Sequence, residues 1–132
     1  MKKFKKINQD NFFTELIKEF PEFNLMYEKH VREYGEVVRY VLMFEFVNFV
    51  IDMHRKIIND LNHYDKNLLN KIWDYLEKIF TNSSDCNLKN MISIEIGERF
   101  ATSRSAMSDI YDDVMIFFGP NLRKEVEKYK KN

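Results

Sequence analysis

The most apolar stretch of the chain is VVRYVLMFEFVNFVIDMH, residues 37–54. One arginine and two acidic residues interrupt it, so it lacks the run of about 20 uncharged residues that a membrane span needs. It is also far longer than a strand. At 100° per residue, Glu45, Asn48 and Asp52 fall on one narrow polar stripe of a helix, and apolar residues cover most of the remaining arc. The pattern therefore predicts the central helix of a soluble bundle, over about residues 36–61.

Two amphipathic helices are predicted before this stretch. The first covers about residues 10–20, and Asp10 or Asn11 is suited to cap its N-terminus. Pro21 ends that helix and opens a second one, because proline is well tolerated in the first turn. Gly35 closes the second helix, as glycine often does at a helix C-terminus.

Helical spacing resumes after a polar break. Asp65 is the expected N-cap of a helix that turns Trp73 inward, and the segment TNSSD, 81–85, is a loop that caps the next helix. Residues 88–101 contain alternating isoleucines, as in a strand, but they also share a helical face. Because no partner strand is evident elsewhere, we predict a helix here.

Two more helices are predicted in the last part of the chain. A sixth helix starts at residues 102–105 and stops at Gly119, and Pro120 opens a short final one. The predicted fold class is all-α, a compact bundle of about six to seven helices. It forms a single domain over 1–132, with residues 1–9 as a flexible basic segment.

Composition agrees with long helices joined by short loops, because the 132 residues include only three Gly and two Pro. The single Cys86 has no partner for an internal disulfide, which favours a reducing, cytoplasmic setting. The four lysines near the N-terminus are followed by polar residues where a signal peptide would have its apolar run. We therefore expect neither a signal peptide nor a membrane association.

The formal net charge is zero, but the charge is unevenly distributed. Lysines and arginines are concentrated at the two ends, which leaves 12 basic and 19 acidic residues within 7–121. Nucleic acid binding needs clustered basic residues, so an acidic body disfavours it. A basic protein partner suits this distribution better.

Motifs for catalysis or metal binding are missing from the sequence. The three histidines, His30, His54 and His63, have no metal-ligand spacing, and the aspartates near residue 110 lack the pattern of a calcium loop. Cys86 lies beside an acidic residue, which raises a thiol pKa instead of lowering it. We also find no phosphate-binding loop and no nucleophile elbow. The sequence indicates a protein that is not an enzyme and needs no cofactor or metal.

Two polar stripes are candidates for partner binding. On the predicted sixth helix, Asp109, Asp112 and Asp113 form an acidic patch, and Ile116 lies among them as an apolar residue that would suit an interface anchor. The alternatives are an ordinary solvated face for the aspartates and packing under the last helix for Ile116.

The second candidate is the stripe Glu45, Asn48 and Asp52 on the central helix. It could form the floor of a groove between flanking helices. Alternatively it is a narrow exposed strip in which Asp52 pairs with Arg55 or Lys56, three or four residues further along.

The order of local patterns resembles a family of small helical bacterial proteins that are found near polymorphic toxin genes and regarded as immunity-protein-like. The resemblance rests on FPEF (20–23), IWDYLEKIF (72–80), NLKNMISIEIGERF (87–100) and FFGPNLRKEVEKY (117–129), of which FGPNLRKE is the most specific.

This resemblance implies a cytoplasmic immunity protein, which binds a toxin domain made by the same cell and blocks it. A basic toxin, for which a nuclease is one candidate, is the partner that the acidic body would attract. The resemblance itself identifies no binding residues in this chain. The alternatives are a non-enzymatic helical adaptor or homo-oligomer without a toxin partner, and a small enzyme whose site leaves no motif.

Overall fold

The computed structural model describes residues 2–59 and 66–130, with the backbone alone at residues 2 and 3. All regular secondary structure in these ranges is helical, which confirms the predicted all-α class. The buried hydrophobic side chains form one core. The α-helices in chain order are α1 (Lys2–Lys5), α2 (Phe12–Glu19), α3 (Asn24–Tyr34), α4 (Arg39–Ile58), α5 (Lys66–Asn82), α6 (Cys86–Ile92), α7 (Arg99–Thr102), α8 (Tyr111–Phe117) and α9 (Pro120–Lys130).

Helix α4 is the apolar helix that the sequence predicts, although it begins three residues later than expected. Residues 60 and 61 of the predicted range lie outside the described residues. α4 contacts α3, α5, α8 and the helical segment after α6. Most of its apolar side chains are therefore buried, but Phe44 and Ile58 are about half exposed. One side of α4 thus faces solvent.

Helix α5 is equally well enclosed, because it contacts α1, α4, α6, α8 and α9. Trp73 lies at its centre with no exposed surface, as its place on the apolar stripe predicts. The indole Nε1–H donates to Nε2 of His54 at 2.9 Å. A buried indole N–H needs such a partner, so this bond allows the large ring to occupy the core.

The helix ends agree only partly with the predicted caps. Gly35 ends α3 with a φ of +76°, a left-handed conformation that favours glycine. The side chain of Asp85 accepts hydrogen bonds from the first amides of α6, so it caps that helix as expected. Asn11 precedes α2, but its Oδ1 accepts from the amide of Asn8 instead of from α2. The predicted cap Asp65 lies outside the described residues.

The N-terminal segment differs from the flexible tail that we expected. Phe4 and Ile7 are buried in the core, and the ring of Phe4 lies edge-on to Tyr75 with centroids 5.7 Å apart. The amide of Gln9 donates to Asp85 at 2.7 Å, which fixes the end of the segment beside α6. The segment docks because two apolar side chains leave water and its backbone finds hydrogen-bond partners.

Residues 86–102 form one continuous helical run, in which π-helical residues Ser93–Glu98 join α6 to α7. This confirms a helix over 88–101 and excludes the strand. Ile92 and Ile96 are fully buried and the intervening Ile94 is partly exposed, so the alternation reflects two sides of a helix.

The sixth predicted helix begins later than the sequence suggested. Instead of starting at 102–105, the chain makes a 3₁₀ turn over Ser105–Met107, and α8 starts only at Tyr111. Met107 and Ile110 are buried within this connection and anchor it to the core. Asp109 therefore lies in a turn ahead of α8 and not on its face.

None of the helices in residues 2–59 and 66–130 combines the length and apolarity that crossing a bilayer requires.

Candidate functional site

Helix α8 exposes both acidic and apolar side chains. Asp112 and Asp113 lie in its first turn, where negative charge is favourable next to the helix N-terminus. Ile116 follows one turn later and is 71% exposed, so it does not pack under the last helix. Among the described residues, neither aspartate has an ion-pair partner. We call Asp112, Asp113 and Ile116 the α8 surface.

Asp109, the third member of the predicted acidic patch, is separated from the other two by its hydrogen bonding. Nε of Arg55 donates to its carboxylate at 2.9 Å. This hydrogen bond holds the pKa of Asp109 below its usual value and raises the pKa of Arg55. Asp109 thus ties the turn before α8 to α4, and it is engaged within the molecule.

A groove of about 520 Å³ adjoins the α8 surface. It runs between the C-terminal end of α4 and α8, and we call it the α4–α8 groove. Its lining is mainly apolar, with one acidic and one basic residue at its rim: His54, Ile57, Ile58, Lys66, Leu69, Asp113, Ile116 and Phe117. Within the described residues, Lys66 and Asp113 do not form a salt bridge with each other.

His54, which lines this groove, is uncharged at neutral pH. Its Nε2 accepts the indole proton of Trp73, so the ring carries its own proton on Nδ1. Burial lowers the pKa of His54 to about 4, because the interior solvates the imidazolium poorly. The floor of the α4–α8 groove is therefore apolar and neutral, and its negative charge is confined to the rim.

Helix α9 fixes the position of Ile116. The guanidinium of Arg123 donates to the carbonyl oxygens of Phe118 at 3.0 Å and Ile116 at 3.2 Å. These carbonyls end α8 and have no partner within that helix. The arginine in FGPNLRKE therefore acts as a C-terminal cap, which holds the last turn of α8 and the exposed isoleucine in place.

The three residues of the α4 stripe are all engaged within the molecule. Glu45 accepts a 2.6 Å hydrogen bond from Nδ1 of the buried His30. Asn48 accepts one from the guanidinium of Arg99, and Asp52 forms an ion pair with Lys56, four residues on, at 3.1 Å. The expected local pairing of Asp52 is confirmed.

Asn48 and Asp52 also line a second groove, of about 410 Å³, as the groove hypothesis expected. Glu45 is not part of its lining. We call it the α4 groove, and it separates α4 from the segment 99–107. Its other lining residues are Phe44, Ile51, Arg55, Arg99, Ser103, Ala106 and Met107.

Sequence reasoning missed a buried carboxylate, Glu77 on α5. It accepts three hydrogen bonds at the start of α9: from the amide and the side chain of Asn121, at 3.0 and 2.9 Å, and from the amide of Leu122 at 2.9 Å. A Cβ on Gly119 would lie 2.5 Å from Cδ of Glu77, so glycine is required for this approach. The only local signal is the Gly-Pro pair that opens α9. Glu77 is structural, because its acceptor atoms are already used.

The described residues contain no group of three or more His, Cys, Asp or Glu side chains that could hold a metal ion. Cys86 is free and exposed at the start of α6. His63 lies outside the described residues.

The chain belongs to the family described as a domain of unknown function, DUF7674, which matches it over residues 13–132. Searches of curated proteins and of solved structures each found no match. The family description names no activity or partner.

Proposed function

We propose that this protein is an immunity protein that binds a cognate bacterial toxin domain through the α8 surface and blocks it by one-to-one occlusion. The observation that carries the proposal is the exposed Ile116 beside two aspartates that form no ion pair with any other described residue. An exposed large aliphatic residue in a charged setting is typical of an interface anchor with a polar rim.

Electrostatics favours a basic partner. Residues 7–121 carry 19 acidic and 12 basic side chains, and Asp112 and Asp113 concentrate negative charge where no cation neutralises them within the described chain. Such a field accelerates association with a positively charged protein and opposes association with an acidic one. A toxin that acts on nucleic acid is expected to be basic, because binding the phosphate backbone requires lysine and arginine.

The α4–α8 groove fits a long basic side chain of the partner. The aliphatic stem of a lysine or arginine would lie against Ile57 and Phe117, and its charged end would reach Asp113 at the rim. Arginine would suit this site better, since its guanidinium binds a carboxylate through two parallel hydrogen bonds.

The alternative is a helical adaptor or homo-oligomer that has no toxin partner. The α8 surface itself argues against self-association at this place, because a two-fold contact would bring the aspartates of both copies together. An adaptor for another basic protein would use the same surface, so only the identity of the partner separates the two hypotheses.

The decisive experiment is a protection assay with the toxin encoded by the reading frame next to the gene. Its C-terminal domain is expressed from an inducible promoter, with and without this protein. We expect growth to be restored and a complex that contains the two proteins in equal numbers to be seen by light scattering. No protection and no complex with that domain would overturn the proposal.

The surface is tested in the same assay with Ile116→Asp, which should abolish protection because it removes the apolar anchor while the exposed position tolerates a charge. Leu25→Asp is the matched control, since Leu25 on α3 is also a largely exposed aliphatic residue and lies outside the α8 surface. Protection that survives Ile116→Asp would move the interface elsewhere.

A further inference from the structure

The solvent-facing side of α4 carries a second and chemically different surface. Tyr40, Phe44, Asn48 and Asp52 recur every four residues, so they form one ridge along the helix. All four are exposed, and the residues Tyr40 and Phe44 are 47% and 48% exposed. We call these four residues the α4 ridge, and the α4 groove runs beside it.

The charges around this ridge have both signs and are separated along the helix. The guanidinium of Arg99 lies 4.4 Å from the centroid of the Phe44 ring and donates to Asn48. Asp52 follows Phe44 by eight residues, which places it about 12 Å further along the helix axis. The positive charge of Arg99 therefore lies near one end of the ridge. The negative charge of Asp52, which also pairs with Lys56 of its own helix, lies near the other end, with Asn48 between them.

We propose that this protein forms a two-fold symmetric dimer in which the α4 ridges of two copies cross at Asn48. In an isologous contact each residue meets the one that is equally far from the axis on the other side. Phe44 and its overlying Arg99 then face Asp52 of the second copy. Opposite charges therefore meet twice across the axis, which is favourable.

The packing geometry of helices is compatible with this contact. Two ridges of residues spaced by four interdigitate when the helices cross at about 50°, the commonest class of helix packing. At that angle the contact is confined to about four residues on each side of the crossing point. This span includes Asp52 and Phe44 with its overlying Arg99, and the charges of Arg99 and Asp52 give the pairing its register.

The residues of the α8 surface carry negative charge only, unlike the α4 ridge with its neighbouring Arg99, so they lack this self-complementarity. The α4 ridge and the α8 surface share no residue, and the proposed dimer therefore does not depend on the proposed toxin binding. Each can therefore fail without the other.

The first test places a cysteine on the proposed axis. In the Cys86→Ser background, Asn48→Cys should give a disulfide-linked dimer under mild oxidation, because a residue on a two-fold axis meets its own copy within bridging distance. Lys124→Cys, exposed on α9, is the matched control and should remain monomeric on a denaturing gel.

The second test exchanges charges between two variants. Asp52→Lys should weaken dimerisation about tenfold or more, because lysine then faces Arg99 of the second copy. Arg99→Glu should do the same. An equimolar mixture should recover the dimer, since each heterodimer contact again joins opposite charges. Sedimentation equilibrium measures all three, and circular dichroism checks that each variant is folded.

A stable dimer should have a dissociation constant below about 100 μM. A wild-type protein that is still monomeric at that concentration would therefore overturn the proposal. So would a dimer that neither single variant weakens, or a mixture that does not recover it. Asp112→Asn with Asp113→Asn should leave dimerisation unchanged, and a loss there would place the contact on the α8 surface instead.

Discussion

Glu77 and the aspartates of the α8 surface are all acidic, but their surroundings differ completely. Glu77 is buried between α5 and α9, and three N–H donors from the start of α9 bind its oxygens. Asp112 and Asp113 are exposed, and no cation pairs with them in the described residues. Both groups lie at a helix N-terminus, where carboxylates are favourable.

The difference separates a carboxylate that maintains the fold from carboxylates that are available to a partner. A buried charge is tolerated only when its hydrogen-bonding capacity is satisfied, so Glu77 has little left to offer a ligand. An exposed carboxylate stays hydrated at little cost to the fold and can exchange water for a cation. This comparison can be tested by substitutions on each side.

The largest effect is expected for Glu77→Ala. It would leave the first amides of α9 without acceptors, one of them buried, and should lower the free energy of unfolding by about 3 to 4 kcal/mol. Urea denaturation of this variant and of Asp112→Ala provides the measurement. A loss below about 1 kcal/mol for Glu77→Ala, close to an ordinary surface substitution, would contradict the structural role.

The next effect concerns His54, which is buried like Glu77 but uncharged. Its pKa is about 4 when folded and about 6.5 when unfolded, so between these pH values the unfolded chain binds more protons. Stability should therefore be fully present above pH 6.5 and fall by about 2 to 3 kcal/mol on acidification towards pH 4.

His54→Gln is the control for this pH dependence. Glutamine can still accept the indole hydrogen bond of Trp73 but does not titrate, so the loss between pH 6.5 and 4 should shrink. An unchanged profile in this variant would assign the acid sensitivity to other groups.

Gly119→Ala tests how closely α9 approaches Glu77. The new Cβ would lie 2.5 Å from Cδ of Glu77, and a side chain held by three hydrogen bonds cannot move away without losing them. We expect a loss of about 1 to 3 kcal/mol, as for overpacked cores. In the Glu77→Ala background the same substitution should cost clearly less, because the clash is gone. Additive effects would show that the two positions are not coupled.

The smallest effect on stability belongs to the α8 surface. Asp112→Asn with Asp113→Asn should change the free energy of unfolding by less than about 1 kcal/mol. Association with the toxin should instead slow, and its rate should depend less on salt, because steering acts on encounter. Stopped-flow binding at two ionic strengths measures this. Rates and salt slopes equal to those of the wild type would identify this face as ordinary solvated surface.

Some features of this protein follow from the sequence alone because they are local. The apolar arc of α4, the left-handed end of α3 at Gly35 and the inward place of Trp73 all follow from helical periodicity or from the conformational limits of one residue. The place of Ile116 on the polar side of its helix, among aspartates, belongs to the same class, because it follows from the spacing. Whether Ile116 is exposed or packs under the last helix was left open by the sequence and was decided by the tertiary structure.

Other features were decided only by tertiary structure, because they join residues far apart in the chain. Arg55 binds Asp109, and Glu77 caps a helix that begins 43 residues later; neither pairing leaves a local pattern. The start of α8 at Tyr111 instead of 102–105 has a similar cause, since burial of Met107 and Ile110 favours turns over a continued helix. Periodicity determines which side of a helix is apolar. Only the arrangement of the neighbouring helices determines which polar side chains find a partner and which remain available.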